Sequence, residues 1–179
     1  MLRWLATLVA VACALALASC RAADSSTDGR DDTVVLGWTQ IKPRHVQLPL
    51  GDPIPTTGAT LSTTDGVVLV NIWASYCVPC KKELSLLQSV SAAGTTVVGI
   101  SRDARASFAE DSLQTAGVTY PNYLDSAADL MVALDGAIPM NQVPSSVILV
   151  DGDAVAVHVG PFETADDIDT GLRLARTTS

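Results

Sequence analysis

The chain has 179 residues, with 11 basic side chains against 19 acidic ones and a formal charge of −8. An acidic balance argues against nucleic acid as a partner and against electrostatic adhesion to anionic lipid, both of which reward clustered Lys and Arg. The length suits one domain with a sizeable core, and no internal repeat is visible.

Residues 1–19 carry a single charge, Arg3, ahead of an apolar run over 5–17 that ends in small residues. This order predicts a secretory signal peptide. The run is shorter than the roughly 20 residues that span a bilayer. Leu17-Ala18-Ser19-Cys20 resembles a bacterial lipobox, which implies cleavage before Cys20 and a diacylglyceryl group on its thiol. The plainer alternative is an ordinary secretory signal with an incidental Cys. Acyl chains anchor at about 0.8 kcal/mol per buried CH₂, so the lipid reading places the protein outside the cytoplasm on a bacterial cell membrane. Residues 20–33 then form the lipid anchor and a polar tether without apolar period, and 34–179 form the folded domain. Cleavage removes only Arg3 among charged residues, leaving a charge of about −9.

The four cysteines divide by position. Cys13 leaves with the signal peptide and Cys20 carries lipid, so Cys77 and Cys80 remain. A bridge between residues three apart closes too small a loop to stabilise much through chain entropy, which favours reactivity over stapling. A zinc site would need two further ligands, and only His45 and His158 are present, without paired spacing. No metal or bound cofactor is expected; the redox-active group is the Cys77–Cys80 pair.

In chain order, residues 34–55 contain four prolines and read as edge-like extended structure or a hairpin. Asp65-Gly66 marks a turn, and 67–74 (VVLVNIWA) is an apolar, β-branched run that fits a buried central strand. The CVPC segment comes directly after it. A helix is predicted from Pro79 to about 92, with Leu84, Leu87 and Val90 on one face and Pro79 in its first turn. A strand is predicted over 95–100, a helix over 104–116 ending at Gly117, a short extended stretch after Tyr120-Pro121, and a helix over 126–134 closed by Asp135-Gly136. Strands at 145–150 and 154–159 flank Asp151-Gly152-Asp153, a hairpin signature, and a last helix spans 164–176 with Thr164 as N-cap. The sum is an α/β mixed sheet flanked by helices.

Disulfide exchange needs an accessible thiolate and a second thiol to resolve the mixed disulfide. Cys77, at the strand-to-helix junction, faces a helix N-terminus whose dipole and free N–H groups favour a thiolate. Cys80, one turn in, is placed to resolve.

The segment LVNIWASYCVPCKKE at 69–83 resembles the active-site segment of the TlpA-like branch (ResA, DsbE and CcmG types) of the thioredoxin superfamily. Residues 143–152 and 158–160 resemble that branch's cis-proline loop and closing hairpin, and 97–103 with 119–134 resemble its extra αβ insertion. The resemblance covers roughly 56–176. It implies a thioredoxin-like fold, a catalytic Cys77–Cys80 pair, and a cis Pro144 beside it. It also implies that Tyr76, Val78, Pro79 and the Val143 backbone meet the substrate chain, with Trp73 and Asn71 structural at the site. Glu83 stands where the branch has an acid that tunes the cysteines; the plainer reading is a helix-start acid complementing the dipole. Two departures stand out. Ordinary thioredoxins have a buried Asp where this chain has Asn71, and the Trp common before the first Cys is Tyr76. Lys81 and Lys82 read as a solvated helix face, and His158 as a packed or surface histidine.

Function divides by redox direction. One reading is a reductase of exported proteins, including oxidised apocytochrome c, recharged by a membrane thiol–disulfide donor. The alternative is a disulfide-forming oxidase; the Val-Pro between the cysteines does not decide it. A peroxidase would want Pro and Thr or Ser where Val70 and Ala74 stand, and a copper-binding thioredoxin-fold lipoprotein would rest on His158 alone.

Overall fold

The computed structural model describes residues 36–57 and 60–177; the predicted signal peptide, Cys20 and the 20–33 tether lie outside the described residues. Among the described residues, one six-stranded sheet organises the fold. Its strands are β1 (Gly37–His45), β2 (Val67–Trp73), β3 (Thr96–Ser101), β4 (Asn122–Leu124), β5 (Ser145–Val150) and β6 (Asp153–Val159). They lie in the order β1-β6-β5-β2-β3-β4. β2, β3 and β4 run parallel, while β5 and β6 join antiparallel on one side of β2 and β1 closes that edge.

The apolar run that predicts a central strand is β2, buried from Val68 to Trp73. Its pleat sends alternate side chains to opposite faces. Leu69 and Trp73 enter one apolar cluster with helices α1 (Val78–Ala92), α2 (Ala106–Ala116) and α4 (Ala165–Arg176). Val68, Val70 and Ile72 enter a second cluster with Val46, Leu48 and helix α3 (Asp129–Ala133). The proline-rich stretch resolves into β1, an edge strand whose register shifts between Gln40 and Arg44, where Pro43 cannot donate to the ladder.

Local chemistry explains the connections. Gly117 ends α2 in the left-handed conformation (φ 66°). The β5–β6 hairpin turns on Asp151 and Gly152 alone, both at positive φ, as tight hairpins require. Thr164 caps α4 through a reciprocal box with Asp167. α3 is shorter than the 126–134 helix expected, because Ala128 sits at φ 68° and the Asp125 carboxylate takes the N–H groups of Asp129 and Leu130. Asp135 and Gly136 close it at positive φ.

One row of the sheet sets up the site. Register places Trp38, His158, Ser146, Asn71, Gly99 and Asn122 side by side across all six strands. With His158, Ser146, Asn71 and Asn122 it is a polar seam on the face that α1 covers.

Candidate active site

Cys77 is the N-cap of α1, with extended backbone, and Val78 and Pro79 open the helix. Pro79 loses nothing there, since a first-turn N–H has no intrahelical acceptor. Cys77 and Cys80 form a disulfide, with an S–S distance of 2.05 Å and a Cα–Cα distance of 5.2 Å. Cys77 Sγ accepts the Cys80 N–H at 3.2 Å. This donor stabilises a thiolate at Cys77 once the bridge opens. The two sulfurs differ in access: Cys77 is 8% exposed and Cys80 is fully buried. Incoming thiols and disulfides therefore reach Cys77.

Flanking side chains are open. Tyr76 is 70% exposed and Val78 59%, one on each side of Cys77. Val143 packs against the cluster that contains Trp73, Cys77 and Cys80. The Val143–Pro144 peptide bond is cis, and the buried Pro144 accepts the Gly160 N–H through its carbonyl at 3.1 Å. Lys81 and Lys82 are solvated. His45 is exposed beside Asp153, far in character from His158, which is buried against the rings of Trp38 and Phe162. Burial lowers the His158 pKa, so it is neutral at pH 7.

Glu83 lies in the second turn of α1, past the first turn where an acid best complements the helix dipole, and is only 2% exposed. Its Oε1 accepts from Asn71 Nδ2 at 2.8 Å and its Oε2 from the Phe162 backbone N–H at 2.9 Å. Asn71 Nδ2 also reaches Ser146 Oγ at 3.3 Å. Burial pushes the Glu83 pKa up to about 7, against the opposing pull of the Phe162 and Asn71 hydrogen bonds. Residues three apart share a helix face, so this carboxyl stands on the side of α1 that carries Cys80. An acid poised near neutrality on the helix face of the buried Cys80 has a pKa suited to proton transfer.

Three further groups escape a reading of the sequence. The buried Asp103 accepts the Ser75 N–H at 3.0 Å, the Ser75 hydroxyl at 2.7 Å and the Ser101 hydroxyl at 2.8 Å. It ties the turn before Cys77 to the end of β3. Its only sequence signal is a charge two residues after an apolar strand. Ser146, which lies in the cis-proline segment but has no role of its own in that resemblance, and the Phe162 N–H are the other supports of the Asn71–Glu83 pair. Trp73 is held by its own indole N–H, which donates to Asn122 Oδ1 at 3.0 Å.

The Redoxin family model matches residues 42–172. Among solved structures, a secreted thiol-disulfide isomerase from Corynebacterium glutamicum is 26% identical, with a TM-score of 0.59 over 84% of this chain and 95% of that one. StoA from Bacillus subtilis is 26% identical, with a TM-score of 0.50 over 62% of this chain and 84% of its own. A thioredoxin family thiol:disulfide interchange protein from Chlorobium tepidum shares the fold at 21% identity, with a TM-score of 0.56 over 78% of this chain and 98% of that one. No curated protein sequence matches the chain. With a CVPC disulfide capping a helix at the end of a central strand in a thioredoxin-like sheet, the chain belongs to the Redoxin family and is a thiol–disulfide oxidoreductase.

Proposed function

We propose that this chain is an extracytoplasmic, membrane-anchored protein-disulfide reductase that acts on exported proteins, apocytochrome c among them. The observation that carries the reading is Glu83, buried on the Cys80 side of α1 with a pKa near 7. A carboxylate there opposes a second negative charge at Cys80, so Cys80 stays a thiol until Glu83 accepts its proton. A buried acid that disfavours the Cys80 thiolate and takes its proton suits a donor of electrons better than an acceptor.

The Cys77 thiolate attacks one sulfur of a substrate disulfide, and the S–S bond breaks to release the first substrate thiolate. Glu83 takes the proton of Cys80, and the resulting thiolate attacks Cys77 Sγ. The mixed disulfide breaks, the second substrate thiolate leaves, and Cys77–Cys80 closes. Two electrons pass from the dithiol to the substrate. The exposed Tyr76, Val78 and Pro79, with the Val143 backbone, meet the substrate chain. A membrane thiol–disulfide partner returns two electrons to the enzyme, and lipid on Cys20 holds the domain within its reach. Catalysis needs no cofactor beyond the disulfide itself.

The test is the reduction potential of the Cys77–Cys80 couple, equilibrated in glutathione or dithiothreitol buffers. A value at or below about −220 mV supports the reductase, and a value near about −120 mV overturns it in favour of a disulfide-forming oxidase. Release from the membrane fraction by Cys20→Ala tests the anchor, which fails if the variant partitions like the parent.

A further inference from the structure

Tyr120 is buried, and its hydroxyl has no hydrogen-bond partner among the described residues; Asn71 Oδ1 shares that condition. A buried hydroxyl left unpaired costs free energy that a Phe would avoid, so its presence in the core calls for a role.

Its placement supplies one. The Tyr120 ring belongs to the cluster that holds Cys80, Leu84 and Leu87. The Tyr120 carbonyl accepts from Asn122 Nδ2 at 3.1 Å, and the next carbonyl, that of Pro121, accepts the Gly99 N–H at 2.8 Å. Both ties lead to the polar seam, where Gly99 lies between Asn122 and Asn71. Glu83, bonded to Asn71, sits over the middle of that seam. Its ionised carboxyl offers about four acceptor sites. The described residues fill two of them, from Asn71 and Phe162. An unpaired donor and an under-used acceptor therefore lie in one buried layer. The charge on Glu83 is felt at Tyr120, where it adds to burial in pushing the phenol pKa up.

We propose that Tyr120 is a positioning residue for the redox couple: in the dithiol form its hydroxyl donates to the ionised Glu83 carboxylate and sets the pH at which Glu83 accepts the Cys80 proton. The inference rests on the role given to Glu83 above. The other groups facing that carboxyl are accounted for. Cys80 shares its helix, Glu163 on the loop after β6 pushes its pKa further up, and His158 meets the layer through the ring of Phe162.

The chain has three glutamates, Glu83, Glu110 and Glu163, so protein carrying ¹³C-labelled Glu carboxyls gives three resonances, and Glu83→Gln assigns the one of interest. Tyr120→Phe keeps the ring and its packing and removes only the unpaired oxygen. Loss of a donor to the carboxylate disfavours the charged form. The Glu83 titration of reduced Tyr120→Phe should therefore move up by at least about 0.5 pH unit, roughly threefold in proton affinity. The pH profile of mixed-disulfide resolution should move with it. Titrations that coincide, or a downward shift, overturn the proposal. Glu83→Gln separates the two claims. If it leaves the resolution profile unchanged, the role of Glu83 fails. If it alters that profile while Tyr120→Phe does not, only the role of Tyr120 fails.

Discussion

Glu83 and Asn71 meet 2.8 Å apart under the redox helix, carboxylate to amide, in a buried layer. An amide can donate to this carboxylate without competing for its proton, whereas an Asp at position 71 would set two acids against each other. The departure from the buried Asp of ordinary thioredoxins thus leaves one acid, on the helix, in this hydrogen-bonded pair.

The same pair fixes a pH dependence of stability. The Glu83 pKa is raised from 4.5 to about 7, so between those values the unfolded chain ionises while the folded one does not. Stability from this group is complete below pH 4.5 and is lost as pH rises through 7, by roughly 3 kcal/mol. His158, with its pKa lowered by burial, works in the opposite sense, losing stability as pH falls. Urea unfolding of the disulfide form should show Glu83→Gln gaining on the parent steadily from pH 4.5 to 7.5. A constant difference across that range would contradict the assigned pKa.

Gly99 makes the neighbouring part of the seam. A Cβ there would overlap Oδ1 and Cγ of Asn122, which lies over the glycine to receive the Trp73 indole N–H. Gly99→Ala must displace Asn122 and strand the buried indole donor. Overpacking of about 1–3 kcal/mol and a lost hydrogen bond of about 1 kcal/mol give a destabilisation of roughly 3 kcal/mol, read as a lower denaturation midpoint. A neutral substitution would show that Asn122 is not fixed there.

These relationships mark what a sequence can and cannot convey. Contiguous chemistry is readable: the β-branched run before Cys77, Pro79 in the first helical turn, the Asp151-Gly152 hairpin and the Thr164 cap each declare themselves within a few residues. The thioredoxin-like sheet is assembled from them in order. Partnerships across strands are not readable, because register brings together residues with no local signal. Asn71 needs Ser146, 75 positions on, and Glu83 needs the backbone of Phe162, 79 positions on. Glu83 itself has the same spacing whether it is a solvated acid or a buried one; only the closing of the 160–163 loop over α1 decides. The pattern over 126–134 overstates α3 because the side-chain cap from Asp125 competes with helical turns before Asp129, and nothing in the local spacing reveals that cap.

Asp103 offers a test of how the turn before Cys77 is held. Asp103→Ala leaves the Ser75 N–H and two buried or half-buried hydroxyls without their acceptor. Hydrogen bonds to a charged group are worth about 1.5–3 kcal/mol each, with partial relaxation to water at Ser75. A net loss of about 3 kcal/mol in chemical denaturation is expected, and Asp103→Asn, which keeps one acceptor oxygen, should recover part of it. Equal losses in the two variants would mean that the charge, not the acceptor geometry, holds the turn.

The unequal access of the two sulfurs predicts how the reaction divides between them. Cys77 keeps a small exposure, 8%, and holds the helix-cap hydrogen bond, while Cys80 is sealed in the core. Cys80→Ser keeps the attacking thiol and removes the resolving one. With a disulfide-bonded protein substrate it should accumulate a stoichiometric mixed disulfide at Cys77, visible as a covalent adduct by non-reducing mass spectrometry. Cys77→Ser should yield no adduct, because the fully buried Cys80 cannot reach a substrate sulfur without local opening of α1. Adducts at Cys80 in that variant, formed at a comparable rate, would mean that the helix start opens readily, and that burial at position 80 does not order the two steps.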